Sequence, residues 1–260
     1  VTLELNPEQQ AGVEAVNGDF VMIAGPGSGK TRVLVERYLQ MRARGIPDRD
    51  ILNLTFTSSA ATEMVARVGL LNSAEVFRTF HSFCLDLMKR ERAHIPFPVC
   101  PTIIPVRGEQ FLLMKDLLKR YPPITSYNAL NDRITQWKAE NVSTEQALNE
   151  EHNAGVGYFY ALAYRDYERD QREQGWLDFD ALMKETVKLL EVNEDVRKRN
   201  QRKYIAVDEC QDTDTTQFRL LQLLYGGNIF VVGDENQCQP PGTMVQVLNR
   251  PASGRSAAST

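Results

Sequence analysis

The run Ala24-Gly25-Pro26-Gly27-Ser28-Gly29-Lys30-Thr31 gathers three glycines, a lysine and two hydroxyls into one short stretch. Those residue types in that order suit the holding of a polyphosphate. Glycines let the backbone wrap close to phosphate oxygens, because no Cβ stands in the way. Lys30 at the end of the loop can reach β- and γ-phosphates, and the Thr31 hydroxyl can hold Mg²⁺. The stretch departs from GxxxxGK[ST] only at its first position, where Ala24 stands. A second group of reactive residues closes the run Tyr204-Ile205-Ala206-Val207-Asp208-Glu209-Cys210-Gln211-Asp212. Asp208 suits Mg²⁺, directly or through water, and Glu209 suits the polarisation of an attacking water. Alone, two acids after an apolar run more often cap a helix. Beside a phosphate loop they point to nucleotide hydrolysis. A P-loop kinase stays open on these two motifs, although the second acid and the Gln211-Asp212 pair favour hydrolysis coupled to movement.

Such chemistry needs the loop held between the end of a strand and the start of a helix, where oriented N–H groups and the positive dipole end face the anion. The flanking sequence meets that need. "DFVMIA" reads as a strand and "KTRVLVERYLQMRARG" as a helix stopped by Gly45, with Pro47 beyond. "ILNLTF" and "EVFRTF" read as further strands. "SSAATEMVARV", opened by Ser58 or Ser59, and "HSFCLDLMKRER" read as the helices that follow them. Strand-helix alternation of this kind implies an α/β fold with a parallel sheet covered by helices on both faces. Residues 106–176 read as an inserted all-helical subdomain, with a capping box at Ser143 and Gln146. "LDFDALMKETVKLLE" returns as a helix, then "YIAVDE" as a strand, "TQFRLLQLLYGG" as a helix and "NIFVVGD" as a last strand. The expected organisation is an α/β domain of residues 1–105 and 177–238, the insertion, and a linker-like, disordered tail over 239–260.

Bulk properties limit the alternatives. The chain has 260 residues, 42% hydrophobic and 25% charged, with a formal charge of −4. Nucleic-acid binding therefore needs a local patch rather than a basic protein. Cys84, Cys100, Cys210 and Cys238 form no CxxC pair, and His81, His94 and His152 have no metal spacing. Free thiols in a reducing compartment are expected. With no signal pattern and no membrane-spanning apolar run, the sequence reads as cytoplasmic.

With these motifs in order, the chain resembles the UvrD/Rep/PcrA-type superfamily 1 DNA helicases from about Leu5 to Gln237. "LNPEQQAGVE" resembles the family's adenine-reading glutamine motif, with Gln9 the first choice for the base contact and Gln10 the alternative. "AGPGSGKTR" matches the phosphate loop and adds Arg32. "LTFTSSAATEM" and "TFHSFC" resemble motifs that contact single-stranded DNA. "LDFDAL", "VDECQDTD" and "VVGDENQ" match later segments. The resemblance implies a P-loop NTPase of RecA-like fold that uses ATP and Mg²⁺ to translocate on single-stranded DNA, 3′→5′, and unwind duplex. It implies DNA contacts at Phe56, Thr57, Ser58, Thr79 and His81, a catalytic group of Lys30, Glu209, Gln211 and Gln237, and a monomer. Gln237 would sense the γ-phosphate and pass the signal to DNA. Bases of single strands stack on aromatic faces, and Phe56 at a strand end suits that role, although without the family core packing is the favoured reading.

Two departures carry expectations of their own. Ser58-Ser59 stand where the family has Asn-Lys, which implies a weaker phosphate grip. After Gln237 the family's Ser-Ile-Tyr-x-Trp-Arg-Gly is replaced by Cys238-Gln239-Pro240-Pro241-Gly242. This reads as a truncation, with the second RecA-like domain missing from the chain. Since arginines from that domain contribute about 10³–10⁵ in rate where an arginine finger acts, Mg-ATP binding with weak turnover is expected. The competing expectations are a non-catalytic nucleotide- or DNA-binding module of a larger assembly, and a P-loop kinase or ATPase unrelated to DNA. Lys138, beside Trp137, reads as an ordinary solvated lysine, with a duplex contact as the lesser alternative.

Overall fold

A computed structural model describes residues 5–25, 27–69, 73–95, 99, 101–103, 108–140, 142–152, 155–210 and 213–233. The described chain forms two compact units, one up to Leu87 and again from Met183, the other Met88–Leu182. Pro26, Gln211 and Gln237, and the stretch from 239 to 260, lie outside the described residues.

The first unit runs α1 (Pro7–Glu14), β1 (Phe20–Ile23), α2 (Lys30–Ala43), β2 (Ile51–Thr55), α3 (Ser58–Val68), α4 (Ser73–Val76), β3 (Phe77–Thr79) and the start of α5 (Phe80–Arg90). The second unit holds β4 (Thr102–Ile103), α6 (Glu109–Arg120), α7 (Tyr127–Ala139), α8 (Thr144–Glu150), α9 (Val156–Gln174), β5 (Trp176–Leu177) and the start of α10 (Phe179–Val192). The chain then completes the first unit with α11 (Glu194–Asn200), β6 (Arg202–Val207), α12 (Thr215–Leu224) and β7 (Tyr225–Gly233).

Strands β1, β2, β3, β6 and β7 form one parallel sheet in the order β1-β7-β6-β2-β3. Every residue of β2 is buried, as are the last four of β6 and the last five of β7. A parallel sheet sandwiched between helices requires that continuous burial, which is why these strands read as apolar runs rather than alternating ones. β1, at the sheet edge, leaves Phe20 and Ile23 partly in water. Helix α2 turns Val33, Arg37 and Met41, with Leu34 and Tyr38, into the core. That is the spacing of one helical face.

Parallel strands share a direction, so all five carboxyl ends lie along one edge. The loop after β1, the acids after β6, and the segments after β2 and β3 leave the sheet on that edge, where open α/β sheets bind their ligands.

Several boundaries differ from the sequence reading. Helix α3 is capped by Thr57, whose Oγ1 accepts from Ala60 N at 3.1 Å, and not by Ser58 or Ser59. "EVFRTF" is a strand only over Phe77–Thr79, since β3 pairs on one side alone and Glu75-Val76 close a helical turn. Strand β7 begins at Tyr225, ahead of "NIFVVG", because Tyr225 already pairs with Arg202 of β6, with Gly226 and Gly227 taking up the register shift before Asn228 pairs with Tyr204. A Cβ on Gly226 would lie 2.5 Å from the Arg202 carbonyl oxygen, so only glycine permits that approach.

Among its described residues, the second unit is helical apart from the short parallel pair β4–β5. Its core joins Leu113, Met114, Leu117, Leu130, Ile134, Trp137, Tyr164 and Tyr167, and the capping box at Ser143 and Gln146 opens α8. Lys138 corrects the expectation of a solvated lysine. Its side chain is 19% exposed, donates to Asp178 Oδ2 at 2.6 Å and forms an ion pair with Glu168 Oε1 at 2.9 Å, with the Tyr167 ring at 5.0 Å. Burial opposes its charge, but the two carboxylates outweigh burial and raise its pKa above the ordinary lysine value.

Candidate nucleotide site

The site is built on the carboxyl edge of β1, β7 and β6. Ala24 N donates to Gly233 O at 3.0 Å, which ties the start of the loop to the end of β7. The loop then turns through Gly27 (φ 72°) and Gly29 (φ 83°), both in the left-handed region that other residues adopt at a cost. Gly29 caps α2, so Lys30, Thr31 and Arg32 form its first turn. Among the described residues no side chain caps that end of the helix. Its N–H groups and dipole are therefore available to an anion.

Lys30 Nζ stands 3.4 Å from Glu209 Oε2, a pairing across 179 residues of sequence. Asp208 is 3% exposed, and its N–H donates to Leu54 O, which fixes it to the end of β2. Its Oδ1 accepts from Glu209 N at 3.1 Å. Glu209 has φ 52°, and among the described residues no other non-glycine has a positive φ. Holding a glutamate there stores backbone strain of about 1–3 kcal/mol, which tends to persist where function needs a side chain aimed. Burial, and next the charge of Glu209, push the Asp208 carboxyl up to about 6, against opposing pulls from the Glu209 N–H and Lys30.

The other wall is α1. Asn6 and Gln9 form a capping box, with Gln9 N donating to Asn6 Oδ1 at 2.8 Å and Asn6 N donating to Gln9 Oε1 at 3.0 Å. The same Gln9 amide reaches the phosphate loop, its Nε2 donating to Ser28 O at 2.7 Å. Gln10 turns away and donates to Glu14 at 2.6 Å. A cavity of about 410 Å³ opens between Asn6, Glu8, Gln9 and the strand-to-loop residues Met22–Gly25 and Ser28.

Does this loop suit a nucleotide and its metal? Ser28 Oγ is buried with no hydrogen-bond partner among the described residues, a polar atom expected to find one. The adjacent carboxylates of Asp208 and Glu209 are an oxygen donor set suited to a divalent cation. Among the described residues no cluster of three or more histidine, cysteine or acidic side chains could hold a metal by itself.

The residues expected to meet DNA gather at the neighbouring strand ends. Thr55 pairs with Thr79 across β2 and β3, so Phe56-Thr57-Ser58 and Phe80-His81 emerge side by side. Phe56 is half-buried, its ring 5.3 Å from that of Phe80. Thr57 and Ser58 are exposed, although the Thr57 hydroxyl already caps α3. Thr79 is engaged with Ser82, and His81 lies in the first turn of α5. Because Asp208 is bonded to Leu54, this group adjoins the acid pair through β2.

Two site features escaped the sequence reading. Asn6 carried a local signal that could have found it, since Asn-Pro-x-Gln is a capping-box pattern with proline at the first helical position. Arg37 was legible only as a charge on the apolar face of α2.

A parallel five-stranded sheet with a glycine loop before a helix and acids after a central strand defines a P-loop nucleotide-binding domain. The UvrD/REP helicase N-terminal domain matches residues 5–238, and the chain belongs to that family. It is similar to the ATP-dependent DNA helicase Rep of Escherichia coli strain K12, 36% identical over 250 residues, covering 90% of this chain and 36% of that protein. It is also similar to the ATP-dependent DNA helicase PcrA of Staphylococcus epidermidis strain RP62A, 35% identical over 250 residues, covering 90% of this chain and 33% of that one. The chain thus spans about a third of the length of the curated relatives it matches. Among the described residues, no helix is long and apolar enough to cross a membrane.

Proposed function

We propose that this chain is the nucleotide-binding part of an ATP-dependent DNA helicase, and that ATP with Mg²⁺ binds at the phosphate loop. The observation that carries the proposal is the approach of Lys30 Nζ to Glu209 Oε2 at the mouth of the loop. In this reading Ala24 to Ser28 wrap the phosphates, Pro26 included, and Gly29 opens α2 toward them. The Lys30 ammonium faces the β- and γ-phosphates, and Arg32 supports it from the same turn. Thr31 and Asp208 would hold Mg²⁺, which when bound supplies positive charge against the phosphate oxygens. Glu209 accepts the proton of the attacking water, assisted by Gln211, while Gln237 senses the γ-phosphate. Gln9, rather than Gln10, reads the adenine from the cavity wall, because its amide faces the loop and that of Gln10 does not.

The whole protein's work belongs to the same proposal. It is translocation along single-stranded DNA in the 3′→5′ direction with unwinding of duplex, carried out in the cytoplasm by a monomer. Phe56 stacks on a base, and Thr57, Ser58, Thr79 and His81 line the backbone path. The residues 1–105 and 177–238 act as the ATP-binding domain and 106–176 as the inserted subdomain.

The test is Mg-ATP binding, and ATP hydrolysis with and without a single-stranded oligonucleotide, for the unaltered chain and for Lys30→Ala. Loss of a charge-assisted phosphate contact should weaken ATP binding about 10- to 150-fold while oligonucleotide binding persists. Equal ATP binding by Lys30→Ala would refute the site. Phosphoryl transfer to a small acceptor, with no response to DNA, would favour a kinase.

A further inference from the structure

Arg37 is 2% exposed, and no carboxylate pairs with it among the described residues. A buried guanidinium without a counter-ion is rare, and its partners here are all carbonyls. Nη1 donates to Ala15 O and, at 3.5 Å, to Gly12 O; Nη2 donates to Val16 O at 3.2 Å. These oxygens belong to the last turn and exit of α1, the negative end of that helix's dipole. The guanidinium carbon also lies 4.4 Å from the Phe230 ring centroid on β7. Burial pulls its pKa down to about 10, so it remains charged at neutral pH.

The consequence lies at the other end of α1. This helix is two turns long, and its first turn carries Asn6, Glu8 and Gln9 along the cavity wall. So short a helix has little stability of its own and is positioned by what it packs on. Gly12 fits against Val33, Met22 and Phe230, where even a Cβ would sit 3.3–3.5 Å from their atoms. Arg37 holds the exit of the helix, and the Gln9 bond to Ser28 O holds its entry. Because Arg37 and Lys30 share α2, one helix presents its N-terminus to the phosphates and clamps the element that faces the base.

We propose that Arg37 is a positioning residue for nucleobase selection, fixing the depth and rotation of α1 so that Gln9 meets the base. This rests on the nucleotide reading above. It concerns base selection and leaves phosphate binding to the loop.

The experiment compares the full chain with Arg37→Met and Arg37→Lys, using Mg-ATP, Mg-GTP and Mg-tripolyphosphate as probes. Arg37→Met should weaken ATP binding about tenfold, the equivalent of losing one or two oriented hydrogen bonds. It should bring the ATP-to-GTP ratio near one and leave tripolyphosphate affinity within about twofold. Arg37→Lys, which keeps the charge without the fork, should fall between. Adding Gln9→Ala to Arg37→Met should cost little more ATP affinity, because the two act through one contact. Parallel loss of ATP and tripolyphosphate binding would reduce Arg37 to a core residue and overturn the inference. So would multiplicative effects of Arg37→Met and Gln9→Ala. Should Arg37→Met not fold, the same comparisons on Arg37→Lys decide. An unaltered chain that binds neither ATP nor tripolyphosphate would sink the nucleotide reading, and base selection with it.

Discussion

Replacing Lys138 by methionine should destabilise the protein by about 2 kcal/mol, between the 3–5 typical of a broken buried ion pair and the 0.2–1 of an exposed one. The intermediate value follows from the exposure of the three groups. Lys138 is 19% exposed, whereas Glu168 and Asp178 are 40% and 28% exposed and can recover some water when the ammonium is gone. Methionine keeps most of the buried stem, so the loss reports the charge rather than packing. Spread over a chain of this size, the change should lower Tm by roughly 4–8 °C. Thermal and urea unfolding would measure it, and a double-mutant cycle with Asp178→Asn would assign it. Asparagine still caps α10, where Asp178 Oδ1 accepts from Ala181 N at 2.7 Å, so the cycle isolates the charge pair. A coupling of about 1 kcal/mol or more is expected, within the range for residues in contact. A change within about 0.5 kcal/mol, the usual surface value, would mean that Lys138 is solvated after all and refute the clasp.

Two further outcomes follow from buried groups in the first unit. Asn53 is 2% exposed in the middle of β2, and its amide finds no hydrogen-bond partner among the described residues. Asn53→Val should therefore stabilise the fold by about 1–3 kcal/mol in urea unfolding, and a loss of stability would show that the amide is satisfied. Cys84 is buried, and burial pushes its thiol up to about 12, past the opposing hydrogen bond from Thr186. At pH 8 its thiolate fraction is on the order of one in ten thousand, so a thiol reagent should label half-buried Cys210 in the native protein and reach Cys84 only on unfolding. Mass mapping of equal labelling at both cysteines would contradict this.

Much of the site was legible because its signals are local. Glycine spacing, an apolar run before it and a lysine after it place a phosphate loop between a strand and a helix, and β1, Gly29 and α2 follow that order. The parallel sheet was legible for the same reason, since strand-helix alternation leaves few ways to cover both faces. The start of β7 was not, because Gly-Gly ordinarily ends a helix, and only the Arg202 carbonyl opposite shows why the pair stays in the sheet. Arg37 was passed over, and Lys138 was expected to be solvated, because a charge on a helix usually faces water. What keeps them inside is a set of carbonyls or carboxylates distant in sequence.

By itself, then, the sequence determined the elements, the family and the kinds of residue at each strand end. All of these follow from neighbours within a few turns or from motif order. Which groups meet was decided by tertiary structure alone. The sheet order sets the loop after β1 near the acids after β6, with β7 between. Glu209 is bent by its positive φ toward Lys30, and Gln9 rather than Gln10 is turned onto the loop by the docking of α1. Periodicity tells which face of an element is buried. It carries no information about the partner waiting there, because that partner is supplied by a strand or helix far along the chain.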